Sequence, residues 1–102
     1  MIYFDYKHVT QNSKLEKRAI EGLQEVLEGD AHNYHCKFIF YRVFTDVNKV
    51  RDVVEMNINL GGESTIITRR AGSFKKALQE VIEQLKRRSF PSNISLGSTR
   101  SA

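Results

Sequence analysis

The residues of this sequence best placed to do chemistry lie in RRAGSFKKALQEVIEQLKRR, residues 69–88. Arg69, Arg70, Lys75, Lys76, Lys86, Arg87 and Arg88 are opposed within the stretch only by Glu80 and Glu83. Guanidinium and ammonium groups donate hydrogen bonds and accept none, so a series of them along one element suits a polyanion, above all a phosphate backbone. The apolar residues Phe74, Ala77, Leu78, Val81, Ile82 and Leu85 recur at steps of three and four, the spacing of one buried helical stripe. Lys76, Glu83 and Arg87 then follow one exposed line and Lys75, Gln79 and Lys86 the next, with positive charge at both ends of the helix. Lys86, Arg87 and Arg88 also suit a helix C-terminus through its dipole, so a structural role competes with binding there. Arg69 and Arg70 are neighbours at a strand end and point to opposite faces, so only one of them joins the helix's charge.

Other chemistries find little support. The only cluster of metal-ligand types is His32-Asn33-Tyr34-His35-Cys36. On a strand His35 and Cys36 face opposite ways, and no second Cys/His pair completes a tetrahedral set, so no metal site is expected. No nucleophile elbow, zinc-protease helix or phosphate-binding P-loop motif occurs. His8, after the first strand, has no evident partner for acid–base work. Gly61-Gly62 joins two strands and so lacks the helix N-terminus of a phosphate cradle; a tight turn accounts for it. The chain is therefore read as non-enzymatic, with no cofactor and no small-molecule substrate.

Composition agrees with a small anion-binding domain. The chain has 102 residues, a formal net charge of +4 and 40% hydrophobic residues, enough for one modest core. The single cysteine, Cys36, excludes an intrachain disulfide and suits a reducing compartment. The N-terminus lacks the apolar run of a signal peptide, and no apolar run approaches the roughly 18 residues of a membrane span. A cytoplasmic protein without membrane contact is expected.

The elements that position the cations read in the order β-α-β-β-β-α. Ile2–Tyr6 is rich in aromatic and β-branched residues and predicts a strand. Ser13 and Glu16 stand at capping-box spacing before a helix that should run to about Glu28 and stop at Gly29-Asp30. Its buried stripe would be Leu15, Ala19, Leu23, Val26 and Leu27, with Ile20 beside it; its Lys14 and Lys17 suit a solvated face as well as a binding one. Residues 34–44 alternate, with Cys36, Phe38 and Phe40 against Lys37, Ile39 and Tyr41, and residues 50–60 alternate more cleanly. Gly61-Gly62 turns the chain into a strand over residues 64–70, and Ser73 caps the last helix. The economical architecture is an α+β two-layer domain over residues 1–88, a four-stranded sheet with both helices on one face, like a double-stranded-RNA-binding domain. Residues 89–102, rich in serine, read as a disordered tail. Phe38, Phe40 and Tyr41 sit where core packing also wants aromatics, so they do not settle single-strand binding.

The text VVEMNINLGGESTIITR, the Ser73-Phe74 helix start, Ala77, the run Gln84-Leu85-Lys86-Arg87-Arg88, and Leu15 and Leu23 resemble the ribosome hibernation promoting factors, also called ribosome-associated translation inhibitors or sigma-54 modulation proteins. The resemblance spans about residues 2–88 and lies in the order and spacing of these segments. It implies a translation inhibitor of the stress response that sits on 16S rRNA of the small ribosomal subunit, in the channel of mRNA and tRNA. By position it implies that Lys86, Arg87, Arg88 and Arg42 touch RNA; Lys75, Lys76, Arg69 and Arg70 join them on charge placement. It also implies a short form, or a truncated one, without the long form's C-terminal dimerisation domain. The first helix departs from the family's lysine-rich pattern, with Glu21, Gly22, Glu25 and Glu28 in its second half, and the last helix ends in Ser89-Phe90-Pro91. Two alternatives follow. Gly72-Ser73-Phe74-Lys75-Lys76-Ala77-Leu78 is similar to the last helix start of double-stranded-RNA-binding domains, which implies structured RNA as partner. The acidic half-helix instead suits a protein-interaction regulatory domain that kept the fold and lost ribosome affinity.

Overall fold

Alternation in the middle of the chain builds the sheet. In a computed structural model describing residues 1–27, 34–45 and 49–88, the last without its side chain, the elements are β1 Ile2–Tyr6, α1 Ser13–Val26, β2 Tyr34–Phe44, β3 Val50–Leu60, β4 Glu63–Ala71 and α2 Phe74–Arg88. The four strands lie in the order β1-β2-β3-β4. β1 runs parallel to β2, with Phe4 opposite Phe38, so α1 is the crossover between them. β2, β3 and β4 form an antiparallel meander, with Phe38 opposite Met56 and Met56 opposite Ile67. Gly61 and Gly62, at φ 60° and 91°, close the β3–β4 hairpin in the left-handed conformation that other residues resist.

Both helices cover one sheet face, as the apolar periodicity requires. Leu15, Ala19 and Leu23 of α1 and Ala77, Leu78, Val81 and Leu85 of α2 pack on Cys36, Phe38, Phe40, Val54, Met56 and Ile58 in one core. The opposite face carries Lys37, Ile39, Tyr41, Glu55, Asn57 and Arg70. Val53 is 1% exposed although it belongs to that face. In the register it lies between Tyr41 and Arg70.

One helix start differs from expectation. Asn12, not Ser13, caps α1: its Oδ1 accepts from the backbone N–H of Lys14 at 2.9 Å and of Leu15 at 3.2 Å. Ser13 is the first helical residue, which leaves Glu16 out of a capping box. Glu16 instead accepts from the Tyr6 hydroxyl at 2.9 Å and the Gln11 amide at 3.2 Å, tying the crossover loop to the end of β1. Ser73 does cap α2, its Oγ accepting from the Lys76 N–H at 3.2 Å. β4 is longer than expected by one residue at each end. The expected helix stop at Gly29-Asp30, His32 and the tail over residues 89–102 lie outside the described residues.

The two helices run side by side in the same direction, since Gly22 meets Ile82 while Glu25 reaches Lys86. Gly22 permits this approach: a Cβ there would stand 3.1 Å from Ile82 Cγ1 and 3.2 Å from its Cγ2. Gly22→Leu is therefore predicted to cost about 1–3 kcal/mol through overpacking. Gly72→Ala, where an added methyl meets nothing within 4 Å, should change stability by less than about 0.5 kcal/mol. Urea unfolding of the two variants measures both.

Candidate nucleic-acid interface

The parallel helices bring together cations that the sequence keeps far apart. Lys14, Lys17 and Arg18 are exposed on the first half of α1, and Lys75 and Lys76 on the first turns of α2. Arg18 and Lys75 line the same groove between the helices, so these cations share one end of the helical layer. Arg42 stands at that end too. Its Nε donates to Asp52 Oδ1 at 2.9 Å, and its guanidinium lies 5.3 Å from the Phe74 ring centroid. Asp52, directly opposite on β3, and Phe74, the first residue of α2, thus fix its orientation before any ligand arrives.

The other end of the layer is mixed in charge. Lys86 Nζ donates to Glu25 Oε1 at 2.5 Å, an exposed pair that joins α2 to α1. The hydrogen bond and charge of Lys86 hold the Glu25 carboxyl below its usual range. Between the ends the groove, about 330 Å³, is lined by Glu21 and Glu83 as well as Gln79. Lys75 and Lys86 are separated by about 16 Å along α2, from eleven helical rises. Positive charge therefore concentrates where the helices begin and is partly cancelled where they end.

The remaining predicted residues fall into different places. Arg69 points to the helical side, where its Nη2 donates to Gln84 Oε1 at 2.8 Å and its Nη1 to the Thr68 carbonyl at 3.0 Å. Arg70 points to the opposite sheet face, away from the helical cations, as neighbouring strand residues must. Arg87 is exposed near the end of α2, and the side chain of Arg88 lies outside the described residues. Sequence reasoning passed over Arg18 and left Lys14 and Lys17 undecided, because only the relative direction of the helices sets them beside Lys75 and Lys76.

Polar chemistry of a catalytic kind is not assembled among the described residues. No polar or charged residue is buried there, and no three His, Cys, Asp or Glu side chains converge. No described helix is long and apolar enough to cross a membrane. His35 is exposed while Cys36 is buried, on opposite strand faces. Burial pushes the Cys36 thiol up from an ordinary 9.0 to about 12.

Comparison with known protein families and with curated proteins finds no match. Solved structures do match. A ribosomal subunit interface protein from Coxiella burnetii superposes with a TM-score of 0.65 at 17% identity, over 86% of this chain and 91% of that one. The N-terminal domain of Protein Y from Thermus thermophilus gives 0.59 at 10% identity, over 83% and 93%. The chain has their fold. That fold is the β-α-β-β-β-α arrangement expected from the sequence, and at these identities the likeness is carried by architecture alone.

The state of Cys36 gives a test of this packing. An unfolded thiol ionises near its ordinary 9.0, the folded one only near 12. Stability complete below about pH 9 should therefore fall as pH rises toward 12. Tyr6 and Tyr34, both raised chiefly by burial, act in the same direction. In the native protein at pH 8 Cys36 should resist a thiol reagent on a timescale at which urea-unfolded protein reacts to completion.

Proposed function

We propose that this chain is a ribosome-associated, cytoplasmic, non-enzymatic factor that represses translation by binding 16S rRNA in the mRNA–tRNA channel of the small subunit. The observation that carries the reading is the cationic end of the helical layer, Lys14, Lys17, Arg18, Lys75, Lys76 and the fixed Arg42, on a fold shared with a protein of the ribosomal subunit interface. Phosphate contacts from such a cluster supply affinity without reading sequence, which suits a surface that must seat on folded rRNA. Arg87, exposed near the end of α2, extends the contact along that helix. Arg69, tied to Gln84, supports it from the side of the sheet, and Arg70 lies too far round to join it.

A second reading is favoured by the Glu25–Lys86 pair: a regulatory domain that uses this fold to bind a protein. Pelleting with purified small subunits at low salt separates the two, because no cosedimentation leaves only the second. Under the first reading Lys75→Glu with Lys76→Glu weakens binding at least about tenfold and lowers the salt slope by roughly 1.5 to 2, the loss of two phosphate contacts. Lys86→Glu alone costs less, since Glu25 already offsets that charge. Glu25→Gln, which releases Lys86, tightens binding. Equal losses from both reversals would place the contact elsewhere.

A further inference from the structure

β4 forms one edge of the sheet, and little in its sequence guards that edge. It is last in the order β1-β2-β3-β4, and among the described residues no backbone group outside β3 bonds to it. β1, at the other edge, has five residues; β4 has nine, paired one to one with β3 without a bulge. A long edge is commonly blunted by lysine, proline or a bulge. β4, ESTIITRRA, has none of these, and its centre, Thr65 to Thr68, is β-branched throughout. Its charges stand at the two ends, Glu63 at one and Arg69 and Arg70 at the other.

The backbone of β4 is set to receive a partner. The two-residue turn at Gly61-Gly62 closes on the pair Leu60 and Glu63, which such a hairpin hydrogen-bonds. Bonded and unbonded residues alternate from there, so Ser64, Ile66, Thr68 and Arg70 turn N–H and C=O away from β3. The Thr68 carbonyl agrees, since it accepts from Arg69 Nη1 at 3.0 Å.

We propose that β4 pairs antiparallel with β4 of a second copy of this chain, about a two-fold axis through Ile66 and normal to the sheet. Charge selects both the partner and the register. Centred on Ile66, the pairing sets Glu63 of each copy opposite Arg69 of the other, and both lie on the helical side, as neighbours of Leu60 and Val54. Registers centred on Thr65, Ile67 or Thr68 leave Glu63 and Arg69 facing neutral residues. The same centring places Ile66, 61% exposed on the open face, against its own copy, and Ser64 against Thr68. Arg70 falls opposite Gly62, which has no side chain, so no like charges meet. The Thr68 carbonyl exchanges Arg69 for a backbone N–H of the second copy, which frees Nη1 for Glu63. The interface is isologous and uses up both β4 edges, so assembly stops at two copies with only the short β1 at each end. Both helical layers stay on one face of the joined sheet, and their cationic ends remain open.

Sedimentation equilibrium of the full chain, without RNA, across the micromolar range tests this. A reversible monomer–dimer equilibrium with no larger species is expected. Glu63→Arg sets arginine against arginine at both ends of the pairing and should weaken the dimer at least about tenfold. Glu63→Arg combined with Arg69→Glu exchanges the charges and should restore it. Ile66→Lys brings two ammonium groups together on the axis and should leave only monomer. Glu63 and Ile66 are exposed, so these single variants keep the fold, which circular dichroism of the dilute proteins checks. A monomer at every concentration, an open series of oligomers, a dimer indifferent to Glu63→Arg or Ile66→Lys, or no recovery in the charge exchange each overturns the proposal.

Discussion

The packing of Phe40 is the contact on which the rest of the molecule depends. Its ring stacks on Tyr6 at 5.0 Å and on Phe4 at 6.4 Å, and meets Phe74 edge-on at 5.8 Å. Phe4 stacks in turn on Phe38 at 5.7 Å. These rings join the parallel strand pair to the first turn of α2. Each such pair contributes about 0.5–1.5 kcal/mol beyond the area it buries. Two residues along β2 on the same side, Arg42 lies over Phe74. The core therefore sets where a surface cation stands, and the line between packing and binding runs through one aromatic ring.

Charge on the helical layer is arranged by direction as much as by composition. Because α1 and α2 run the same way, their basic first halves meet at one end and their acidic residues meet basic ones at the other. A net charge of +4 spread evenly would give a weak field everywhere. Concentrated near one end it gives a strong local potential and an oriented approach to a polyanion. Gly22 is part of this arrangement, since it lets the helices come close enough for Glu25 to reach Lys86.

Periodicity made most of the fold legible. The strands over residues 34–44 and 50–60 declared themselves by alternation, and both helices by apolar stripes that the structure buries. The Asn12 cap was misjudged because Ser13 and Glu16 offered the same spacing one residue on, and the Tyr6 hydroxyl, distant in sequence, claims Glu16. The site was less legible for a related reason. Arg42, Arg69 and Lys86 are cations by sequence, but their partners Asp52, Gln84 and Glu25 come from other elements.

The parallel pairing of β1 with β2 has a consequence for how the chain reaches this structure. The β3–β4 hairpin closes over two glycines and can form from neighbouring residues alone. β1 has no such local partner: Ile2 waits for Cys36, and the helix between them must already be turned back. Non-local parallel pairing pays its loop entropy before it gains contacts, so it is slow. The first strand made is thus among the last to be placed. Until then Phe38 and Phe40 lack the rings of Phe4 and Tyr6, and the growing sheet shows a bare edge at β2. In the cell this is the interval in which the nascent domain is most open to mispairing.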